Sequence, residues 1–138
     1  MVQPLNLSPM QNLVYSDKFQ DRKNSLQLSI TLVSFQDTKG IFILYAPQFD
    51  LSGYGKNQEE ARASFQIALD DLVSYTLSKG TFESVLQELG WKRVVSKTKK
   101  WRAPQMNELI KKRAYLSEIF NNYTVTTFQE KIGIPQYA

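Results

Sequence analysis

Pro47-Gln-Phe-Asp-Leu-Ser-Gly-Tyr-Gly-Lys-Asn-Gln-Glu-Glu-Ala61 decides how this chain is read. It follows the apolar run Ile41-Phe-Ile-Leu-Tyr45, which has strand length and no polar alternation, as a central strand covered on both faces, or on one face and by a partner chain, would. Pro47 lacks a ladder donor and ends that strand. Phe49 and Leu51 can still face a core, and Gly53 and Gly55 are read as letting the backbone turn tightly toward a helix. Asn57 is the expected N-cap, with Glu60 three positions on to complete a capping box. Behind it Ala61, Phe65, Ala68, Leu69, Leu72 and Thr76 form one stripe at spacings of three and four. Lys79 suits the last turn and Gly80 the left-handed position beyond it.

On the N-terminal side, Leu26, Leu28, Ile30 and Leu32 alternate with Gln27, Ser29 and Thr31, the period of a half-buried strand. Asp37-Thr-Lys-Gly40 supplies a turn before Ile41. Residues 1–24 read as an N-terminal arm, with Leu13-Val14-Tyr15 as an edge strand within it. On the C-terminal side, a short helix is expected from Thr81 to Gly90 through Phe82, Val85, Leu86 and Leu89. Lys92 to Lys97 reads as a fourth strand, Lys97–Pro104 as a basic loop, and Pro104–Asn121 as a second helix. Tyr123-Thr-Val-Thr-Thr-Phe128 and Ile132-Gly-Ile-Pro135 form an extended tail.

The chain has 138 residues, enough for one ordinary domain, with 42% apolar and 12% aromatic residues. It has neither cysteine nor histidine. Disulfides, Cys/His zinc sites, Ser-His-Asp and Cys-His pairs and histidine proton shuttles are therefore excluded. No apolar run approaches the roughly 18 residues of a membrane span, and the N-terminus lacks a signal pattern, so a cytoplasmic location is expected.

The net charge of +4 is uneven. Residues 1–89 carry seven basic against ten acidic side chains, and residues 90–138 carry ten against three. Such a split reads either as two different binding faces, one of them for an anion such as nucleic acid, or as basic segments that solvate the surface or pair with the acidic half. Lys92, Arg93, Lys97, Lys99, Lys100 and Arg102 lie between or beside Trp91 and Trp101, with Lys111, Lys112 and Arg113 close behind. Interleaved cations and aromatics can hold phosphates and stack bases, which makes Lys92, Arg93, Lys97, Lys99, Lys100, Trp101 and Arg102 the nucleic-acid candidates. Trp91, directly after Gly90, reads instead as a core anchor.

Acidic chemistry finds little support. Glu59/Glu60 and Asp70/Asp71 are adjacent helical pairs, and neighbours diverge by about 100° around a helix, so neither pair aims at one point. Gly53-Tyr-Gly55 lacks the third glycine of a dinucleotide fingerprint and the Gly-Lys-Ser/Thr of a P-loop. No catalytic residue, metal or cofactor is assigned.

The order of strand, turn, strand, Pro47, Gly53, Gly55, Glu59-Glu60-Ala61 and then a helix with Ala68 and Leu69 resembles the core of HicB-type antitoxins, over roughly residues 26–79. That resemblance implies a partial RNase-H-like β-β-β-α-β core without nuclease activity, and as partner a small basic ribonuclease toxin of the HicA type. The helix lead is Gly55-Lys56-Asn57 rather than the family's Gly-Asp-Thr-like one. Residues 90–138 carry neither a helix-turn-helix nor a ribbon-helix-helix pattern.

The expected fold is α+β: a small antiparallel sheet, one main helix on a face, and a C-terminal helix with an extended tail. Residues 25–97 form the HicB-like core, and residues 98–138 complete the same domain. Pro47, Gly53, Gly55, Asn57 and Glu60 are its structural turn and cap. The expected function is a non-catalytic, antitoxin-like binding protein whose acidic half meets a basic partner; a homodimer is compatible with it. The alternative is a nucleic-acid-binding accessory protein using Trp91–Arg113, in contact with phosphates and indifferent to sequence.

Overall fold

The computed structural model describes residues 25–94 and 100–135. The expected N-terminal arm, its Leu13-Val14-Tyr15 strand, and Lys97 and Lys99 lie outside those residues. The element order is β1 (Ser25–Gln36), β2 (Phe42–Ala46), β3 (Leu51–Gly55), α1 (Gln58–Lys79), α2 (Phe82–Glu88), β4 (Lys92–Val94), β5 (Lys100–Arg102), α3 (Met106–Lys112), α4 (Ala114–Asn122) and β6 (Thr126–Pro135). The chain thus adopts the α+β class, with a four-stranded antiparallel sheet ordered β3-β2-β1-β6.

β1 alternates as its sequence dictates. Leu26, Leu28, Ile30 and Leu32 face α1 and are buried with Phe65, Leu69 and Val73 of that helix. Phe49, Phe82, Leu86, Trp91, Ile132 and Ile134 complete this core. From Val33 onward the opposite face of the sheet is also covered: Val33, Phe35, Ile43 and Tyr45 pack on Leu109, Leu116 and Ile119 of α3 and α4. Ile43 through Ala46 are consecutively buried, which is why β2 shows no polar alternation.

α1 is built as its ends predict. Asn57 Oδ1 accepts from the Glu60 N–H at 2.9 Å, and Glu60 Oε1 accepts from the Lys56 N–H at 2.9 Å. Gly80 closes the helix with φ +67°. The buried stripe is Ala61, Phe65, Leu69, Val73 and Thr76, so Val73 belongs to it while Ala68 and Leu72 sit at its margins.

Gly53 and Gly55 do something other than turn the chain. Both lie within β3, and α1 packs directly on them. A methyl group at Gly53 would lie 2.6 Å from Phe65 Cα and nearer still to Ala61 O and Phe65 N. At Gly55 it would lie 2.7 Å from the Glu60 carbonyl carbon and nearer to Ala61 N. The two glycines let a helix backbone touch a strand backbone, the close approach that only a missing Cβ permits. The connection before them is made by Pro47–Asp50, with Asp50 at φ +55°.

Two further expectations are corrected. Lys92–Val94 is a strand, but it pairs with Lys100–Arg102 in a separate hairpin. The main sheet's fourth strand is β6, which runs beside β1 from Ser25↔Pro135 to Ser34↔Thr126. The single helix expected over Pro104–Asn121 is instead two, α3 and α4, parted at Arg113 with φ −122° and ψ 108°.

Candidate functional site

Arg113 breaks the helix because its side chain is committed elsewhere. Its Nη1 donates to the Pro47 carbonyl and, at 3.3 Å, to the Tyr45 hydroxyl. It also lies 3.8 Å from Asp50 Oδ1. The Tyr45 hydroxyl in turn donates to Asp50 Oδ1 at 2.6 Å, a charge-assisted bond of short length. Burial, and then this carboxylate, hold the Tyr45 phenol well above its ordinary range. Asp50 accepts its left-handed backbone in the same turn, a conformation Asp tolerates better than most residues. The network ties the β2–β3 turn to the α3–α4 junction.

Gln48 anchors the other side of that turn. Its side-chain Oε1 accepts from the Thr31 N–H at 3.0 Å, giving β1 a partner where β2 has ended. Its main-chain oxygen accepts from Trp91 Nε1 at 2.9 Å. Trp91 is buried and stacks on Phe49 with ring centroids 5.5 Å apart, so it serves the core, as its position after Gly90 predicts.

Around the Arg113 network the surface is rich in tyrosine and carboxylate. Tyr115 packs edge-on against Tyr45 at 5.2 Å yet remains 42% exposed, and Tyr54 on β3 is 54% exposed. Burial pushes the Tyr115 hydroxyl up, and the neighbouring Tyr54, Tyr123, Glu118 and Asp37 push it the same way. These groups come from β3, the β1–β2 turn, α4 and the loop after it, and the fold gathers them on one face. Asp50 adds a third exposed or half-exposed carboxylate to Asp37 and Glu118. Arg113, drawn inward with 19% of its side chain exposed, lies beside Asp50, and Lys39 stands next to Asp37 on the β1–β2 turn. Tyr and Arg are residue types enriched where proteins meet one another. Neither Tyr54 nor Tyr115 stands out in the sequence, because the residues that make them a patch lie far away along the chain.

The nucleic-acid candidates divide. Trp101 is half-buried and packs on the core. Arg93 lies 3.6 Å from Glu83 of α2. Lys92 and Arg102 are exposed and directly opposite each other on β4 and β5, beside a cavity of about 100 Å³ that Glu108 also lines. Lys100 occupies β5 opposite Val94. Arg113 belongs to the Tyr45 network.

Pro47 follows the last residue of β2, Asn57 and Glu60 cap α1, and Gly53 and Gly55 serve the helix contact. Among the described residues, no three acidic side chains gather where they could hold a metal ion, and no helix is long and apolar enough to cross a membrane. No protein-family model matches this chain, and neither does a curated protein or a solved structure.

Proposed function

We propose that this protein is a non-catalytic, antitoxin-like binding module that neutralises a small basic ribonuclease of the HicA type in the cytoplasm. The observation that carries the reading is the face on which exposed Tyr54 and Tyr115 stand beside Asp37, Asp50 and Glu118. Carboxylates there attract a basic partner and speed its approach, and the tyrosines supply apolar area once it docks. The resemblance of residues 26–79 to HicB-type domains supports the same reading, since those domains bind such toxins.

Co-expression with the product of a small adjacent toxin-like reading frame tests it. The expected result is relief of growth arrest and a stable complex on size exclusion, both lost in the Tyr54→Ala/Tyr115→Ala double variant. A chain that neither relieves arrest nor forms a complex would overturn the reading, as would a double variant that still does both.

A second reading rests on Lys92 and Arg102. Like charges directly opposite on a hairpin destabilise it, so a polyanion laid across β4 and β5 would relieve a built-in repulsion. Such contacts would go to phosphates and carry no sequence preference. Glu108 lines the cavity beside the pair, a carboxylate that a polyanion would have to approach, which is why the protein-binding reading stands first.

A further inference from the structure

Glu130 is a buried carboxylate with unmet needs. It lies on the face of β6 that packs under α1, is 4% exposed, and its Oε2 has no hydrogen-bond partner among the described residues. Its register partner on β1 is Ile30, flanked on the same face by Leu28 and Leu32, so that side of its environment is hydrocarbon. From α1 the group that acts on it is Arg62, half-buried; the two make no ion pair among the described residues. Lys131 and Gln129 alternate onto the opposite face of β6 and turn away from it. An apolar residue would be the ordinary choice between Phe128 and Ile132. A carboxylate without full compensation is costly when ionised and tolerable when protonated.

We propose that Glu130 is a protonation-controlled latch: neutral, it lets β6 dock under α1, and ionised, it loosens that strand from the core. Burial pushes its carboxyl up to about 7, with the Arg62 guanidinium pulling the other way. The docked state therefore binds the proton more tightly than the undocked state, whose carboxyl titrates at 4.5. Its stabilising contribution is complete below about 4.5 and is lost as pH rises through about 7. The cytoplasmic pH range falls at the upper end of that window, where small changes in proton concentration shift the strand's opening.

Hydrogen exchange of the β6 amides, corrected for intrinsic rates, reads the latch directly. In the wild-type chain the opening constant of residues 126–135 should rise by roughly two orders of magnitude between pH 4.5 and pH 7.5. Glu130→Gln keeps the shape and removes the titration, so its profile should be flat across that range. Arg62→Gln removes the compensating charge on α1 and should move the wild-type transition to higher pH. A carbon-detected titration of the Glu130 carboxyl in the wild-type protein supplies an independent reading that needs no variant. A Glu130→Gln profile parallel to wild type, or a carboxyl that titrates near 4.5, would overturn the proposal.

Discussion

Replacing Gly53 with alanine tests the contact on which the whole α1–β3 arrangement rests. The added methyl would sit 2.6 Å from Phe65 Cα and nearer to two further main-chain atoms of α1. Carbon atoms pack comfortably at about 3.5–4.0 Å, so the helix would have to rise from the strand by about 1 Å. A gap of that size forfeits about a quarter to a half of each dispersion contact across the interface. Phe65, Leu69 and Val73, all fully buried, sit along the lifted face. Overpacking typically costs about 1–3 kcal/mol, and a clash of main chain against main chain, with no rotamer to absorb it, belongs at or above the upper end, at about 3–4 kcal/mol. Opposing this, alanine reduces the entropy of the unfolded chain by about 0.4–1 kcal/mol where the native backbone suits it, and φ at Gly53 is not positive. The sign therefore discriminates. Urea unfolding followed by the fluorescence of buried Trp91 and by far-ultraviolet dichroism should show a large fall in midpoint with an unchanged slope. Gly80→Ala is the control: nothing lies within 4 Å, but φ is +67°, so its loss of about 1–2 kcal/mol comes from backbone strain alone. A Gly53→Ala protein as stable as wild type, or more so, would refute the close approach.

Phe65→Ala should cost about 3–5 kcal/mol in the same assay, because Phe65 is fully buried at the centre of the helix stripe; a loss below about 1 kcal/mol would remove it from the core. Arg113→Ala should loosen the α3–α4 junction and cost about 1–3 kcal/mol, since it strips the Pro47 carbonyl and the Tyr45 hydroxyl of a charged donor; an unaltered unfolding midpoint would show that the network contributes nothing. Purified protein incubated with RNA, DNA or hybrid duplex and magnesium or manganese should release no product, and cleavage abolished by Asp50→Asn or Asp70→Asn would end the non-catalytic reading. If the β4–β5 hairpin meets nucleic acid, Lys92→Glu/Arg102→Glu should weaken binding equally for all sequences, and wild-type binding should fall steeply between about 50 and 200 mM salt; selective, salt-resistant binding would contradict that.

The features legible in the sequence are those written locally. Asn57, Glu60, Lys79 and Gly80 bracket α1 within a few residues of the atoms they satisfy. The alternation of β1 needs only its own period, and Asp37 closes its turn by accepting from the Lys39 and Ile41 N–H groups. The features that the sequence hides depend on partners far along the chain. Gly53 and Gly55 look like turn glycines until the helix that follows them is folded back over β3. The pattern over Pro104–Asn121 supports one helix, and only the distant Tyr45, Pro47 and Asp50 explain why Arg113 interrupts it. Lys92–Val94 has the composition to join the sheet, but the place beside β1 goes to β6, whose Ile132 and Ile134 extend the core while Val94 does not. The tyrosine and carboxylate face has no linear signature at all.

The pairing of β1 with β6 has a consequence for how the protein comes into being. Every rung of that ladder joins residues separated by nearly the full α/β body, from Ser34↔Thr126 to Ser25↔Pro135. Contacts of such long range close slowly, because the entropy of a large loop is lost before any hydrogen bond forms. On the ribosome, β1, β2, β3 and α1 can assemble while β6 is still unmade. During that interval one edge of β1 offers main-chain donors and acceptors to whatever strand arrives first. The step that completes the sheet is therefore also the one that ends its exposure to strangers, and the nascent chain's safety depends on how quickly Thr126–Pro135 follows the helices before it.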